Sequence, residues 1–296
     1  MFVVAIIPVY NRKDILFSAI ESVVNQTQSP DHLVVVDDGS TDGLPQEFAD
    51  WEDKRSDSGC QITFIHQPNQ GAAVARNAGI KAFPDADWYA FLDSDDLWPP
   101  DFLERCLKLV SHSRHIAAAT LDREESHVEQ KTSQIIDMSE MTADPQVWMF
   151  RYGSAFLSGS LLNGELVREL NGFPEDESFA SGQDLFFLLR LAAAGPWIHV
   201  PGAPYQYRSG LGYPQLHESF SDSHHRWAII FEKIYNEMVD MDSSRDKLFR
   251  EILATRWCEA GDQHRLHYRK ALSVEAYKRS NSYRLSIRAL YGAIRR

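Results

Sequence analysis

Three carboxylates fall within four residues of the sequence, at Asp93, Asp95 and Asp96. Ser94 stands between the first two. Like charges this close repel one another unless a cation joins them. Carboxylate oxygens are hard ligands that suit Mg²⁺ or Mn²⁺, and such an ion can bridge to phosphate oxygens. The segment therefore predicts a divalent-cation site for a phosphorylated ligand, and the alternative is a solvated acidic turn that caps a helix expected to begin near Pro99.

A second pair of carboxylates, Asp37 and Asp38, precedes Gly39. A carboxylate at a strand end can accept hydrogen bonds from a ribose or a base imide. The other interpretation of this pair is a simple turn. Arg76 lies in a predicted helix whose N-terminus could face the same crevice, and arginine is well suited to phosphate. A single helical arginine is also commonly a surface residue or an ion-pair partner.

Four short apolar runs in the first third of the chain should position these side chains. They cover Phe2 to Ile7, His32 to Val36, Ile62 to His66 and Trp88 to Leu92. Helix-like segments separate them, at Leu16 to Val24, Ala72 to Ala82 and Pro99 to Val110. This alternation is typical of an α/β sheet whose strands are buried on both faces. Ligands of such sheets bind beyond the carboxyl ends of the strands, so the polar segments after three of these runs should meet in one crevice.

The pattern weakens further along the chain. We expect a strand over Ile116 to Leu121, then exposed loop, and a helix over Asp184 to Ala194. From Pro201 to about Pro214 the sequence predicts loop, and the remainder is predicted to be mainly helical.

The overall composition excludes several classes of protein. The 296 residues are 44% hydrophobic and 24% charged, so the chain is predicted to fold around a sizeable core. Three dispersed cysteines suggest neither disulfides nor a thiolate zinc site, which favours a reducing compartment. We expect no signal peptide and no membrane span, and hence a cytoplasmic protein.

The net charge of −12 argues against nucleic acid as a partner. The segment from Arg265 to Arg296 is the exception, because it holds many lysines and arginines and a single acid, Glu275. A solvated helical face is the favoured interpretation of this segment. Contact with the inner face of an anionic membrane or with a lipid-linked substrate is the alternative.

Taken in order, four of these segments resemble family 2 of the inverting glycosyltransferases. They read PVYNR at Pro8 to Arg12, VVDDGSTDG at Val35 to Gly43, QGAAVARNAGI at Gln70 to Ile80 and FLDSDDLW at Phe91 to Trp98. The resemblance covers about the first 210 residues well and the rest poorly. It implies a GT-A fold, a Rossmann-like mixed sheet flanked by helices. The implied domains are a glycosyltransferase domain over 1–215, with a nucleotide-binding half at 1–98 and an acceptor half at 99–215, and a helical C-terminal extension over 216–296.

The resemblance also implies a nucleotide-sugar donor, with UDP the expected nucleotide, and Mn²⁺ or Mg²⁺ as cofactor. The residues implied to bind the donor are Pro8, Tyr10, Asn11, Asp38, Arg76, Asp93 and Ser94. Asp95 is the implied metal ligand, with Asp93 assisting and His217 as a candidate third ligand. The metal would offset the charge that develops on the leaving nucleoside diphosphate.

An inverting transfer also needs a base to take the proton of the acceptor hydroxyl. Family members usually carry Glu-Asp at a helix start for this purpose. This chain has Gln183-Asp184, so the resemblance assigns Asp184 as the base and Gln183 as an acceptor contact that lacks the usual carboxylate. On residue type alone, Asp184 is a helix first-turn acid. Trp98 and Gly159 are further candidates for contact with the acceptor, expected to be a surface polysaccharide, a lipid-linked sugar or a smaller molecule.

Two other functions are weaker fits. A sugar nucleotidyltransferase would need a glycine-rich basic loop after the first strand, where this chain has Pro8-Val9-Tyr10-Asn11. A dinucleotide oxidoreductase would need a Gly-x-Gly-x-x-Gly turn there. A catalytically degenerate domain that binds a nucleotide sugar or a partner without turnover is a further alternative because of Gln183 and the unfamiliar C-terminal segment.

Overall fold

The computed structural model describes residues 1–54, 59–111, 115–152, 156–176, 182–213, 223–238 and 241–294. The chain divides into two compact units that interleave along the sequence. The first unit comprises Met1–Pro145, Ala155–Glu175 and Arg190–Tyr213. The second comprises Gln146–Ser154, Asp176–Leu189 and Pro214–Arg296.

The first unit is built on a mixed eight-stranded sheet. Its strands are β1 (Val3–Val9), β2 (His32–Asp37), β3 (Gln61–His66), β4 (Trp88–Phe91), β5 (Ala118–His127), β6 (Thr132–Ile136), β7 (Ser160–Asn163) and β8 (Trp197–Ser209). The order is β3-β2-β1-β4-β7-β5-β6, and β8 pairs with β5. Strands β3, β2, β1 and β4 run parallel, whereas β7 is antiparallel to β4 and to β5. This arrangement confirms the predicted mixed α/β sheet.

In the first third of the chain the helices alternate with the strands, as predicted. After β8 the described elements are all helices. They are α1 (Lys13–Val24), α2 (Leu44–Glu52), α3 (Ala72–Ala82), α4 (Phe102–Val110), α5 (Ser139–Ala143), α6 (Pro145–Tyr152), α7 (Gly164–Glu169), α8 (Gln183–Ala194), α9 (Ser223–Glu237), α10 (Ser243–Leu266), α11 (Lys270–Tyr283) and α12 (Ile287–Ile294). In the described part of the chain, no helix has the length and apolar content that a membrane span requires.

The core of the first unit explains why these segments form these elements. Every residue of β1 is buried, as expected for a central parallel strand covered on both faces. Helix α3 approaches the sheet closely because it carries Gly79, where an added Cβ would lie 2.7 Å from the Ile6 side chain. A small residue on this helix therefore sets its distance from β1.

Strand β8 contradicts the loop predicted from Pro201 onward. The register with β5 jumps from Leu121 paired with Val200 to Arg123 paired with Tyr205, so residues 201–204 bulge out of the ladder. Arg105 donates to the carbonyls of Pro201 and Ala203 at 2.7 Å each, which satisfies the bulged backbone. The prolines that suggested a loop lie in this bulge, where no ladder hydrogen bond is required of them.

A second difference from the prediction is that β5 continues to His127 and pairs with β6. The polar sequence here suggested exposed loop, because β6 is largely exposed and lacks the apolar alternation of a strand with one buried face.

The second unit is helical, and one cluster of its core joins α9, α10 and α11. Trp257 is fully buried against Ala228, Ala260 and Ala276. Asp242 caps α10, because its side chain accepts hydrogen bonds from the backbone N–H groups of Ser244 and Arg245.

Candidate functional site

The polar segments after β1 and β4 meet at the point where the strand order reverses. From β1 the chain proceeds to β2 and β3 on one side of the sheet, and β4 lies on the other side of β1. In open α/β sheets this switch point is where ligands bind, beyond the carboxyl ends of the strands. The segments after β1 and β4, which carry several of the predicted donor residues, therefore lie at the switch point of the sheet.

The segment after β1 bridges to the loop after β2. Asn11 has a positive φ of 50°, a conformation that asparagine tolerates better than most residues. Its backbone N–H donates to Ser40 Oγ at 2.9 Å, and its Oδ1 accepts from the Thr41 N–H at 2.7 Å. Pro8 is buried within β1, whereas Tyr10 is 48% exposed and available to a ligand.

Asp38 is 3% exposed and organises the loop that leads into α3. Its Oδ1 accepts from Gln67 Nε2 at 2.8 Å and from the Gln70 N–H at 3.0 Å. Its Oδ2 accepts from the Gly71 N–H at 2.7 Å. The carboxylate thus holds the α3 N-terminal loop in place, and its contact with a base stays a prediction.

Replacement of Asp38 by alanine should destabilise the first unit. The change leaves the backbone N–H groups of Gln70 and Gly71 without their hydrogen-bond acceptor. We therefore expect a loss of about 2 to 4 kcal/mol in the free energy of unfolding. Chemical denaturation of Asp38→Ala measures this loss. Asp53→Ala is the control, because the Asp53 side chain is exposed and should change stability by less than about 0.5 kcal/mol. Equal stability of both variants would contradict the role given to Asp38.

Arg76 reaches from α3 to the end of β4. Arg76 is 5% exposed; its guanidinium donates through Nη2 to Asp93 Oδ1 at 2.6 Å and lies 5.4 Å from the centre of the Phe173 ring. Arg76 and Asp93, both predicted to bind the donor, are therefore brought into contact. A nearly buried guanidinium held in this way is a preformed partner for a phosphate oxygen.

Asp95, after β4, pairs with an arginine that follows β1. Arg12 Nη1 lies 2.5 Å from Asp95 Oδ2. Burial raises the pKa of the Asp95 carboxyl; Arg12 opposes this shift, and the charge of Asp93 adds to it. Burial, with the charges of Asp95 and Asp93, likewise raises the pKa of Asp96 well above its usual range. Asp95 and Asp96 are thus buried carboxylates that repel each other and Asp93, rather than parts of a solvated turn.

This cluster fits a divalent cation by its donor chemistry. Arg12 pairs with Oδ2 of Asp95 and Arg76 pairs with Oδ1 of Asp93, and the side chain of Asp93 is 39% exposed. A cation placed among these oxygens would offset the charge of Asp93, which adds to the effect of burial in raising the pKa of Asp95. The implied third ligand, His217, lies outside the described residues.

Arg208 is a residue of this site that the sequence did not single out. Its Nε donates to the carbonyl of Asp95 at 2.6 Å, and its backbone N–H donates to Asp96 Oδ1 at 3.1 Å. The backbone groups of Leu97 and Gln206 pair with each other and bring β8 to the acidic segment. The signal in the sequence was a cation at the end of the stretch Tyr205-Gln206-Tyr207-Arg208.

The predicted acceptor residues of the first unit serve the fold in this structure. Trp98 is 4% exposed, and its indole N–H donates to the carbonyl of Ser158 at 2.5 Å. Gly159 is buried beneath the ring of Tyr205, and an added Cβ would overlap that ring. Stacking of Trp98 on a sugar would require a rearrangement, so both acceptor roles stay predictions. Ser94, predicted to bind the donor, is 3% exposed.

Substitution of Gly159 by alanine should therefore destabilise the protein by about 1 to 3 kcal/mol, the usual penalty for overpacking. Thermal or denaturant unfolding measures the change. The double variant Gly159→Ala/Tyr205→Leu supplies the comparison, because a smaller side chain at 205 makes room for the new methyl group. The two substitutions should therefore be less than additive, and strict additivity would show that the Tyr205 ring is not the obstacle.

Asp184 and Gln183 belong to the second unit, at the start of α8. Gln183 is 7% exposed, and Asp184 is partly exposed and accepts a hydrogen bond from the Leu185 N–H at 2.8 Å. The predicted position of Asp184 in the first turn of a helix is confirmed. Its role as a base stays a prediction.

A second set of possible metal ligands consists of Asp122, Asp137 and His199, whose ligand atoms lie within 4.8 Å of one another. His199 Nε2 lies 2.8 Å from Asp122 Oδ1, which also accepts from the Met138 N–H. These contacts account for the cluster as an anchor for the start of α5. None of its three residues is among the predicted metal ligands.

The sequence profile of glycosyl transferase family 2 matches residues 4–162, more than half of the chain. The chain belongs to this family. Among curated relatives, the succinoglycan biosynthesis protein ExoW of Rhizobium meliloti is 42% identical over 100 residues, which are 33% of this chain and 30% of ExoW. Matches of this kind span only 18% to 30% of relatives such as ExoW and a glycosyltransferase of Rickettsia felis.

Solved structures support the same fold over nearly the whole chain. S. aureus TarS 1-349 in complex with UDP-GlcNAc superposes with a TM-score of 0.68 at 18% identity, covering 96% of this chain and 92% of that one. The mannosyltransferase PcManGT of Pyrobaculum calidifontis, in complex with GDP-Man and Mn²⁺, gives 0.65 at 17% identity, covering 98% and 77%. At these identities the likeness shows the GT-A fold.

Proposed function

We propose that this chain is an inverting glycosyltransferase that transfers a sugar from a nucleotide-sugar donor to an acceptor hydroxyl. One observation carries the proposal. Two arginines, Arg12 and Arg76, are paired with Asp95 and Asp93 at the switch point of a family 2 chain. The arginines are cationic groups that can bind phosphate. The carboxylates can hold the divalent ion that commonly accompanies a nucleoside diphosphate.

UDP is the proposed nucleotide. The likeness to TarS, solved with UDP-GlcNAc and with UDP, supports this choice, and PcManGT with GDP-Man makes GDP the alternative. The proposed donor contacts are those expected from the sequence: Pro8, Tyr10, Asn11, Asp38, Arg76, Asp93 and Ser94. Arg12 and Arg208 are added here as residues that hold the acidic segment in place.

The proposed metal is Mn²⁺ or Mg²⁺, held by Asp95 with Asp93. When bound, it supplies positive charge that stabilises the leaving diphosphate. Arg76 would bind the same diphosphate directly, since its guanidinium is already fixed by Asp93 and Phe173. Asp184 is the proposed base. It takes the proton of the acceptor hydroxyl as the oxygen bonds to the anomeric carbon and the bond from that carbon to the phosphate oxygen breaks.

The proposed acceptor is a saccharide or a lipid-linked sugar in the assembly of a surface polysaccharide or glycolipid. Relatives named for succinoglycan and teichuronic acid biosynthesis support this class. A cytoplasmic location and the absence of nucleic-acid binding, both expected from the sequence, stay predictions.

A turnover assay tests the proposal. The purified chain is incubated with a panel of UDP- and GDP-sugars, saccharide acceptors and Mn²⁺, and release of nucleoside diphosphate is followed. We expect release from one nucleotide family that depends on acceptor and metal, and NMR of the product should show an inverted anomeric centre. Binding of a donor without any release of diphosphate would favour the degenerate domain, and retention of configuration would contradict the inverting mechanism.

A further inference from the structure

The turn between α10 and α11 exposes several large apolar side chains. Within residues 265–272, which we name the α10–α11 tip, Tyr268 is 96% exposed, Leu266 is 74% exposed and Leu272 is 42% exposed. Single exposed apolar residues are common on protein surfaces, but three in so short a segment call for an explanation.

The backbone of the tip makes its tyrosine unusual. Tyr268 has a φ of 58°, in the left-handed region. The N–H of Arg269 donates to the His264 carbonyl at 2.8 Å, and that of Tyr268 donates to the Arg265 carbonyl at 3.2 Å. This is the Schellman ending of a helix, in which the left-handed residue is usually glycine because a side chain there is strained. Since the Tyr268 ring is also almost fully exposed, neither the turn nor core packing accounts for it.

Cations alternate with the apolar side chains of the tip. Arg265, Arg269 and Lys270 stand beside Leu266 and Tyr268 in the sequence. The whole chain has a net charge of −12, whereas residues 265–296 hold nine lysines and arginines and one acid. Three arginines further along this segment are paired with acids outside it: Arg279 with Glu232, Arg284 with Glu251 and Arg288 with Asp262. The basic character of the tip therefore comes from its own cations.

A cavity of about 570 Å³ borders the tip and is lined in part by Arg265, Tyr268 and Lys270. Its lining also includes Arg288 and Asp262. Asp262 pairs with Arg288 and, at 3.6 Å, with Arg265. Three cations thus face one carboxylate, so the cavity keeps a positive charge that suits a phosphate headgroup.

We propose that the α10–α11 tip binds the anionic surface of a lipid bilayer. Tyrosine and leucine side chains enter the headgroup region, where an amphipathic ring is favoured, and the flanking cations contact lipid phosphates. Charge complementarity selects this occupant, because an acidic chain approaches an anionic surface only through a basic region. The proposal concerns a surface outside the donor site and does not rest on transferase activity.

Co-sedimentation of the full chain with lipid vesicles tests the proposal without nucleotide or acceptor. We expect binding to vesicles that contain phosphatidylglycerol and little binding to pure phosphatidylcholine. Raising the salt to about 1 M, where the Debye length falls to about 3 Å, should weaken it. Lys270→Ala should lower the partition coefficient about fivefold, the equivalent of about 1 kcal/mol per basic residue.

Tyr268→Gly separates binding from folding. Glycine suits the left-handed position, so we expect an unchanged or higher melting temperature together with a partition coefficient lowered several-fold. A purely structural tyrosine would instead lower the melting temperature when it is removed.

Leu266→Ser and Leu285→Ser form a matched pair, because both leucines are 74% exposed. Leu285 follows the far end of α11, about 20 Å away along a 14-residue helix. Only Leu266→Ser should reduce binding. The proposal would be overturned if the two variants reduced binding equally, or if the chain bound both kinds of vesicle equally. It would also be overturned if the chain self-associated without lipid and Leu266→Ser abolished that association.

Discussion

Asp184→Asn should stop sugar transfer while leaving donor binding nearly intact. A positioned base commonly contributes 10²- to 10⁴-fold, so we expect kcat to fall by about 10³-fold. Asparagine keeps the shape of the side chain and its hydrogen-bond acceptor for the Leu185 N–H, but it cannot take up the acceptor proton. Steady-state kinetics with the accepted donor, together with calorimetric binding of the nucleotide, measures both quantities.

The control for this variant is Asp246→Asn. Asp246 is also an acid in the first turn of a helix, α10, so it carries the same electrostatic interaction with a helix N-terminus. If Asp184 matters only through that interaction, the two variants should change kcat to the same extent. Normal turnover by Asp184→Asn would remove it as the base.

Asp95→Asn should abolish metal-dependent binding of the donor. Loss of one of two charged ligands should weaken binding of UDP in the presence of Mn²⁺ by about 100-fold or more, because even groups that only support a ligand are worth 10- to 100-fold. Calorimetric titration measures the change. Binding that stays dependent on Mn²⁺ and equally tight would contradict the assignment of Asp95.

The stability of the same variant gives a second, independent readout. Burial raises the pKa of Asp95, so without metal the folded state favours the protonated carboxyl, and stability falls as the pH rises through that pKa. Asparagine resembles the protonated form. The metal-free variant should therefore be at least as stable as the parent near neutral pH, and the rise in melting temperature on adding Mn²⁺ should disappear.

Asp96→Asn is the neighbouring control. Asp96 is 2% exposed, and its carboxylate accepts from Ser158 and from the Arg208 N–H. Because its oxygens are engaged in this way, we expect the variant to keep metal-dependent binding even if its stability changes. Loss of the metal effect in both variants would show that the acidic segment acts as a unit rather than through Asp95.

The part of the site that follows the first four strands could be predicted, because each of its segments comes directly after a short buried strand. Parallel strands bring their carboxyl ends together, so Asn11, Asp38 and Asp93 were expected at one edge of the sheet. The contact of Arg76 with Asp93 needed only the helix that follows β3. Apolar runs and turn residues carried all of this information.

The residues that β8 contributes to the site could not be predicted in the same way. Arg208 meets the acidic segment because β8 pairs with β5 and its backbone contacts Leu97, and both contacts join distant parts of the chain. Two prolines led to the prediction of a loop in place of this strand. The bulge in which they lie is stabilised by the side chain of Arg105, which is distant in sequence. The burial of Trp98 was missed for a related reason, because its hydrogen-bond partner, Ser158, lies 60 residues away.

The most direct test of the central claim is calorimetric titration of UDP, GDP and their sugar derivatives into the purified chain, with Mn²⁺ present and then removed by a chelator. The proposed site predicts binding of one nucleotide, with UDP expected, that is lost when the metal is removed. A folded protein that binds none of these ligands, or that binds them equally well without metal, would contradict it.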